Sequence, residues 1–220
     1  RMAVAPPAIL GHYGLGRLAS VTARLPAPFA PGAPRGASPE DVRRSLGIPG
    51  GERVLGFVGN LVPLKGAHDF VRAAQTLMAE RPGLHAVLVG AEFHSQRAYA
   101  ETVRAAIAAS PFRGRFHLAG FQPDVPLWLS AFDVFCFPSY SEACPIAVLE
   151  AMDAEVPVAA TAVGDVPCML EGTGLPLLSP GDTAAMTEVA RTLLAMPAPE
   201  REHLSGLMRR RVRSFYTLEA

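Results

Sequence analysis

Short apolar runs alternate with helically spaced apolar positions along most of this chain. In residues 67–80, for example, Phe70, Val71, Ala74 and Leu77 share one helical face. The pattern predicts strands at 53–59, 84–90, 115–120, 133–138, 156–161 and 175–178. It predicts helices at 67–80, 96–109, 125–131, 145–154, 182–195 and 199–214. Strands that are apolar throughout are typical of a parallel sheet buried on both faces, so we predict a doubly wound, Rossmann-like α/β domain.

The beginning of the chain has a different pattern. Residues 26–38 are rich in Pro, Gly and Ala, a composition typical of a linker. We predict a linker over 26–49 and one domain over 50–220. Residues 1–25 have the pattern of one strand and one helix, which we assign to the end of a preceding domain.

A short helix is predicted where the linker meets the domain. Ser38 can cap its N-terminus, with Pro39 at the first helical position. Asp41 follows three residues after Ser38, as in a capping box. We expect this helix to end near Leu46.

Composition narrows the classes of function. The formal net charge is +0, with 20 basic and 20 acidic residues, so the chain has no broad basic field for nucleic acid. The 3 cysteines are odd in number and lack framework spacing, which favours reduced thiols and a cytoplasmic location. No apolar run reaches the roughly 18 residues that a membrane span needs. Peripheral membrane association of a full-length protein stays open.

Polar and glycine residues follow several predicted strands, where parallel α/β sheets bind ligands. These segments are 59–66, 120–124, 138–142 and 161–167. Strand-to-helix loops are polar in any such fold, so this pattern alone is weak support for a site. The first loop lacks the glycine spacing and the Ser/Thr of a Walker A loop, and GHYGLG at 11–16 does not match a dinucleotide fingerprint.

The loop after the fourth strand is more informative. Pro145 suits the first position of a helix, whose N-terminus favours an anion such as a diphosphate. Glu142 precedes this helix, and Glu150 lies five residues into it, about 7 Å along its axis at 1.5 Å per residue. Two carboxylates at this spacing suit the hydroxyls of a sugar and a ribose on either side of a diphosphate. The alternative is that Glu142 is an N-cap acid and Glu150 a solvated helix residue.

Lysine is used at a single position. Of the 20 basic residues, 19 are Arg, and Lys65 is the exception. It follows the first strand, at the same predicted edge as Glu142. A position that keeps Lys in such an Arg-rich chain is a candidate for a point charge that Arg cannot replace. Chance is the alternative.

Two segments resemble motifs of the family 4 retaining glycosyltransferases of GT-B fold. The stretch DVFCFPSYSEACPIAVLEAMDAEVPVAATAVGDVP at 133–167 is similar to their pattern of Pro-Ser, Glu, seven residues, Glu-Ala-Met, a Thr-ending strand and a Gly-Gly-x-Pro-Glu turn. FVGNLVPLKG at 57–66 resembles their Gly-Arg-Leu-x-x-x-Lys-Gly phosphate loop. The resemblance covers about residues 50–215. It implies that this chain is the C-terminal, donor-binding half of a GT-B enzyme.

The resemblance also implies roles for individual residues. Lys65 would pair with the donor diphosphate, Glu142 would contact the donor sugar and Glu150 would bind ribose. Lys65 and Glu142 are therefore the catalytic candidates. The donor-binding set is Gly59, Asn60, Lys65, Phe121, Gln122, Asp124, Glu142, Ala143, Cys144, Pro145, Ile146 and Glu150. The donor would be a UDP-, GDP- or ADP-sugar, with no metal and no further cofactor.

Some positions depart from the family pattern. Asn60 stands where many relatives have Arg, so one diphosphate cation is missing. Cys168 replaces a frequent Glu, which puts one donor contact in doubt, and Glu155 replaces a frequent Gly. We interpret Cys144 as a small apolar filler rather than a nucleophile.

Other interpretations stay open. A GT-B epimerase, a non-catalytic nucleotide-sugar-binding subunit and an NAD-binding Rossmann domain are the alternatives, and the last lacks its glycine fingerprint. In GT-B enzymes the site lies between two domains. Residues 1–25 resemble the end of the acceptor domain, so we expect the rest of that domain, and an unknown acceptor, to be needed for sugar transfer.

Overall fold

The computed structural model describes residues 37–216. Its centre is a six-stranded sheet in the order β3-β2-β1-β4-β5-β6, in which every neighbouring pair is parallel. The strands are β1 (Arg53–Val58), β2 (Leu84–Val89), β3 (Phe116–Gly120), β4 (Val134–Phe137), β5 (Val158–Thr161) and β6 (Leu177–Leu178). The predicted parallel α/β sheet is therefore confirmed.

Eight helices connect and cover the strands in the described part of the chain. They are α1 (Pro39–Ser45), α2 (Ala67–Glu80), α3 (Arg97–Ala108), α4 (Val125–Ser130), α5 (Ile146–Asp153), α6 (Val166–Met169), α7 (Thr183–Ala195) and α8 (Ala198–Phe215). Contacts join α2 to α3 and α7, and a second group joins α1, α4, α5 and α8. These groups form the two outer layers, and the middle strands are buried between them. Helix α6 was missed because its four residues are too short for a periodic pattern.

Helix α1 confirms the predicted capping box. The Ser38 hydroxyl accepts a hydrogen bond from Asp41 N at 3.2 Å, and the Asp41 carboxylate accepts one from Ser38 N at 2.9 Å. Val42 is buried in the core, and Arg43 Nε donates to Ala131 O at 2.8 Å. This part of the predicted linker therefore packs on the domain. The strand and helix predicted within residues 1–25 lie outside the described residues.

The strand order places a crevice at the centre of the sheet. The chain runs from β1 outward to β2 and β3, and then returns to add β4 on the other side of β1. The loops that follow β1 and β4 therefore leave the carboxyl edge in opposite directions. A ligand crevice opens at such a switch point.

One departure from the family pattern has a structural counterpart. Glu155, between α5 and β5, has φ 62° and is the one non-glycine residue in residues 37–216 with a positive φ. A left-handed backbone favours glycine because an L side chain crowds the following carbonyl. The frequent Gly of the resembled family fits this conformation without strain.

Candidate functional site: the crevice between the β1 and β4 loops

Lys65 and Glu142 meet across the central crevice. Lys65 ends a short 3-10 turn after β1, and Glu142 lies in the loop after β4. Lys65 Nζ is 2.5 Å from Glu142 Oε1, and their side chains are 30% and 13% exposed. The pair is shielded on the protein side and open on the crevice side, so its charges remain available to a ligand.

Close backbone contact brings the two loops together. Tyr140 N donates a hydrogen bond to Leu64 O at 2.8 Å. Gly66, directly after Lys65, has φ 71°, and a Cβ there would lie 2.2 Å from Pro138 O. Only glycine fits a left-handed backbone this close to a carbonyl.

Glu142 is oriented from the buried side of its loop. Ser139 Oγ donates to Glu142 Oε1 at 3.0 Å, and Ser139 is 1% exposed. Thr161 Oγ1 donates in turn to Ser139 O at 2.6 Å. The Glu142 carboxylate therefore binds Lys65 and Ser139, and α5 has no side-chain N-cap hydrogen bond. This contradicts the alternative of an N-cap acid. Sequence reasoning did not single out Ser139 and Thr161, although both stand within the quoted family motif.

Helix α5 points its N-terminus at the crevice. It begins at Ile146, so Pro145 is its N-cap and not its first residue as predicted. The shift has a simple reason, since Pro145 has ψ 101° and is therefore extended. The first N–H groups of a helix lack intrahelical partners, and together with the helix dipole they favour an anion.

A cavity of about 320 Å³ occupies the crevice. Of the predicted donor-binding residues, it is lined by Gly59, Asn60, Lys65, Phe121, Gln122, Glu142, Cys144, Pro145 and Ile146. The other three are not part of the lining, namely Asp124, Ala143 and Glu150. The predicted residues from the loops after β1, β3 and β4 thus converge on one space, which no single segment of the sequence shows.

Glu150 lies one helical turn behind this lining. Burial raises its pKa, and the negative charge of Asp124 adds to that rise. Asp124 is itself the N-cap of α4, accepting a hydrogen bond from Leu127 N at 3.2 Å. Glu150 is therefore half-buried beside a second carboxylate, which differs from the alternative of a solvated helix residue.

Two polar side chains shape the wall opposite α5. Asn60 Oδ1 accepts a hydrogen bond from Ala91 N at 3.1 Å, which fixes the β1 loop to the β2 loop. Gln122 Nε2 donates to Ala119 O at 2.8 Å. Phe121 also lines the cavity and is 72% exposed. This wall offers a flat aromatic surface and no charged side chain in the position of Asn60.

Cys144 lines the cavity but is poorly suited to act as a nucleophile. Burial raises the pKa of its thiol, and the negative charge of Asp165 raises it further. A raised pKa lowers the fraction of the thiol that is present as thiolate, which is the reactive form.

Within residues 37–216, no group of three or more His, Cys, Asp or Glu side chains is arranged to hold a metal ion. None of the helices described there is long and apolar enough to cross a membrane.

Similar proteins share both the sequence pattern and the fold. A relative from Streptomyces fradiae, a 2-deoxystreptamine N-acetyl-D-glucosaminyltransferase, is 38% identical over 154 residues, covering 69% of this chain and 36% of the relative. Anabaena HepE in complex with UDP and glucose superposes with a TM-score of 0.83 at 21% identity, over 98% of this chain and 58% of that one. This chain therefore spans less than two thirds of either protein.

A third protein matches along nearly its whole length. It is the C-terminal domain of the group 1 glycosyl transferase LpcC from Francisella tularensis, with a TM-score of 0.73 at 21% identity, over 84% of this chain and 95% of that one. The sequence model of the family described as Glycosyl transferases group 1 matches residues 52–196. The resemblance of the two motifs to GT-B glycosyltransferases is thereby confirmed, and this chain belongs to the group 1 glycosyl transferases, with a GT-B-type α/β domain.

Proposed function

We propose that this chain binds the nucleotide-diphosphate sugar in a retaining hexosyltransferase of family 4, as its donor-binding half. The observation that carries the proposal is the Lys65–Glu142 pair beside the N-terminus of α5, on the wall of one cavity. HepE, which has the same fold, forms complexes with UDP and glucose. A UDP-, GDP- or ADP-sugar is the proposed ligand class.

The proposed binding mode follows from the charges. The Lys65 ammonium has three N–H donors, so it can keep Glu142 and still bind a phosphate oxygen. The first amides of α5 add partial positive charge on the same side. When the bond to the sugar breaks, these groups stabilise the charge that develops on the diphosphate leaving group. Glu142 binds sugar hydroxyls and Glu150 binds ribose, and this scheme needs no metal or further cofactor.

Lys65→Ala tests the proposal through the diphosphate. We expect binding of a nucleoside diphosphate to weaken by about 10- to 100-fold, the range for a hydrogen bond to a charged group. Binding of the nucleoside alone should barely change. Isothermal titration calorimetry of UDP, GDP and ADP and of their nucleosides measures both. Arg104→Ala, which removes an exposed cation paired with Glu92, is the control and should leave both affinities unchanged. Equal losses for diphosphate and nucleoside would sink the assignment.

The activity of a whole protein is a further part of the proposal. We propose that transfer to the acceptor needs an additional domain, because the similar GT-B proteins are longer than this chain. The 220-residue chain should therefore bind donor without transferring sugar. Robust transfer by the purified chain, followed with radiolabelled donor, would refute this part. The three free cysteines support the proposal of a reducing, cytoplasmic environment.

A non-catalytic nucleotide-sugar-binding subunit is the second candidate. The neutral Asn60 on the cavity wall favours it, because the phosphate region then has Lys65 as its one lining cation among the described residues. Donor hydrolysis or transfer by the full-length protein separates the two candidates. Binding without either reaction would support the second.

A further inference from the structure

Asp69, outside the cavity lining, joins three segments of the domain. It lies in the first turn of α2, four residues after Lys65, and is only 4% exposed. Its Oδ2 accepts a hydrogen bond from Tyr140 Oη at 2.7 Å, and its Oδ1 accepts one from Thr183 Oγ1 at 2.8 Å. Arg72 forms an ion pair with the same carboxylate. A buried carboxylate is therefore fully used in contacts between α2, the β4 loop and α7.

The electrostatics show that this carboxylate stays ionised. Burial by itself raises the pKa of Asp69, but the hydrogen bonds from Tyr140, Thr183 and Arg72 outweigh it and bring the pKa below its ordinary value. The same contact raises the pKa of Tyr140. The phenol therefore remains a donor to a charged acceptor, which is among the stronger kinds of hydrogen bond in proteins.

Tyr140 links this carboxylate to the crevice. It is two residues before Glu142, and its backbone N–H binds Leu64 O, the carbonyl next to Lys65. Its side chain reaches over to α2, the helix that follows the Lys65 turn. The β4 loop is thus held twice, to the β1 loop through its backbone and to α2 through the phenol.

We propose that Tyr140, held by Asp69, is a positioning residue that fixes the separation of Lys65 and Glu142 and so sets the affinity for the diphosphate part of the ligand. The ligand in this proposal rests on the proposed function, whereas the contact between Tyr140 and Asp69 does not depend on it. Thr183 contacts the same carboxylate from α7 and has no bond to either loop of the crevice. It provides a matched control for loss of one hydrogen bond to Asp69.

The test compares Tyr140→Phe with Thr183→Val, each of which removes one hydroxyl at nearly constant shape. Tyr140→Phe should weaken nucleoside diphosphate binding by about 3- to 10-fold, as expected for one hydrogen bond, with nucleoside binding unchanged. Thr183→Val should change neither affinity by more than about twofold. Equal effects of the two variants on diphosphate binding, or no effect of Tyr140→Phe, would overturn the positioning role.

Hydrogen–deuterium exchange gives a second measurement that needs no ligand. The amide of residue 140 reports the bond to Leu64 O. Tyr140→Phe should speed its exchange by about 3- to 10-fold relative to Thr183→Val. A uniform rise across the domain in both variants would show loss of stability alone and contradict the proposal. If the unaltered chain binds no nucleotide, the proposed function fails, and the exchange comparison still decides whether Tyr140 holds the loop.

Discussion

The two ends of the parallel sheet are built in opposite ways. At the amino end, charged side chains fill the space between elements. Asp133, just before β4, accepts hydrogen bonds from Arg43 Nη2 at 3.0 Å, Arg53 Nη1 at 2.5 Å and Val54 N at 2.8 Å. Arg201 of α8 donates to Asp133 O at 2.8 Å. Asp133 alone therefore connects α1, β1 and α8 to the start of β4.

At the carboxyl end, loops approach each other backbone to backbone. Gly66 lies against Pro138 O, and Gly164, with φ 53°, lies against the carbonyls of Glu142 and Ala143. By contrast, a Cβ on Gly50 or Gly114, in turns at the amino end, would meet nothing within 4 Å. At the amino end, Asp133 is paired with arginines of the same domain. The carboxyl end has a cavity and a partly exposed Lys65–Glu142 pair. One end therefore stabilises the domain through internal ion pairs, and the other leaves charged groups open to a cavity.

The largest expected effect tests the close backbone contact. Gly164→Ala places a Cβ 2.3 Å from Ala143 O in a left-handed backbone, so we expect a loss of about 3–5 kcal/mol in the free energy of unfolding. Gly172→Ala is the matched control, because Gly172 has φ 77° but open space around it, and it should cost about 1 kcal/mol. Urea denaturation measures both. Equal losses would mean that backbone strain, and not close packing, explains the glycine at the carboxyl end.

The next effect tests the amino end. Asp133→Ala leaves two arginines and the buried Val54 N–H without their acceptor. We expect a loss of about 2–3 kcal/mol, less than for a fully buried ion pair because Arg53 is 48% exposed. Asp133→Asn keeps an acceptor and should lose less. Nucleotide affinity should stay unchanged in the folded variants. A change in affinity would contradict the view that the amino end stabilises the domain without affecting the ligand site.

A pH dependence is expected from the same end. His85 Nδ1 is 3.0 Å from His117 Nε2, and His85 Nε2 is hydrogen-bonded to Glu52. Burial lowers the pKa of His117 below its ordinary value of 6.5, and the charge of His85 lowers it further. The folded state thus binds fewer protons than the unfolded state just below this value. Stability is therefore fully present above about pH 6.5 and falls as the pH drops through the folded pKa.

His117→Gln should flatten this dependence, because the amide can still donate to His85 without titrating. We expect the melting temperature of the unaltered chain to fall more between pH 7.5 and 5.5 than that of the variant. The loss of stability between these two pH values should be smaller than the loss caused by either Gly164→Ala or Asp133→Ala. His94→Gln, at an exposed histidine, is the control and should follow the unaltered chain. Parallel curves for all three proteins would rule out His117 as the group that causes the pH dependence.

The smallest effect concerns Glu155, which lies before β5 in a left-handed conformation. Glu155→Gly should stabilise the domain by about 0.5 kcal/mol, since relief of strain exceeds the added entropy of the unfolded chain. The lost ion pair with Arg209 spans 3.1 Å between half-exposed side chains and contributes little. Glu155→Ala loses the same ion pair and keeps the strain, so it should give no gain in denaturant titrations. Stabilisation by both variants would point to the charge instead.

Much of the fold could be predicted because its cues are local. The strands β1 to β6 follow from apolar runs, and the start of α1 follows from Ser38 and Asp41. The start of α5 was one residue off, since a proline alone does not distinguish an N-cap from the first helical position. Ser139, which donates to Glu142, and Thr161, which donates to Ser139 O, were not predicted because each acts through a contact with another residue that periodicity does not reveal.

The sequence by itself determined the class of fold, the edge of the sheet that holds the crevice, and the candidate residues of two loops. Periodicity, caps and motif spacing are properties of neighbouring residues, so they can be read along the chain. Only the tertiary structure decided that Lys65 meets Glu142, that Tyr140 reaches Asp69, and that His85 pairs with His117. These partners are 77, 71 and 32 residues apart. Their contacts depend on the order in which the strands assemble, because that order determines which loops become neighbours.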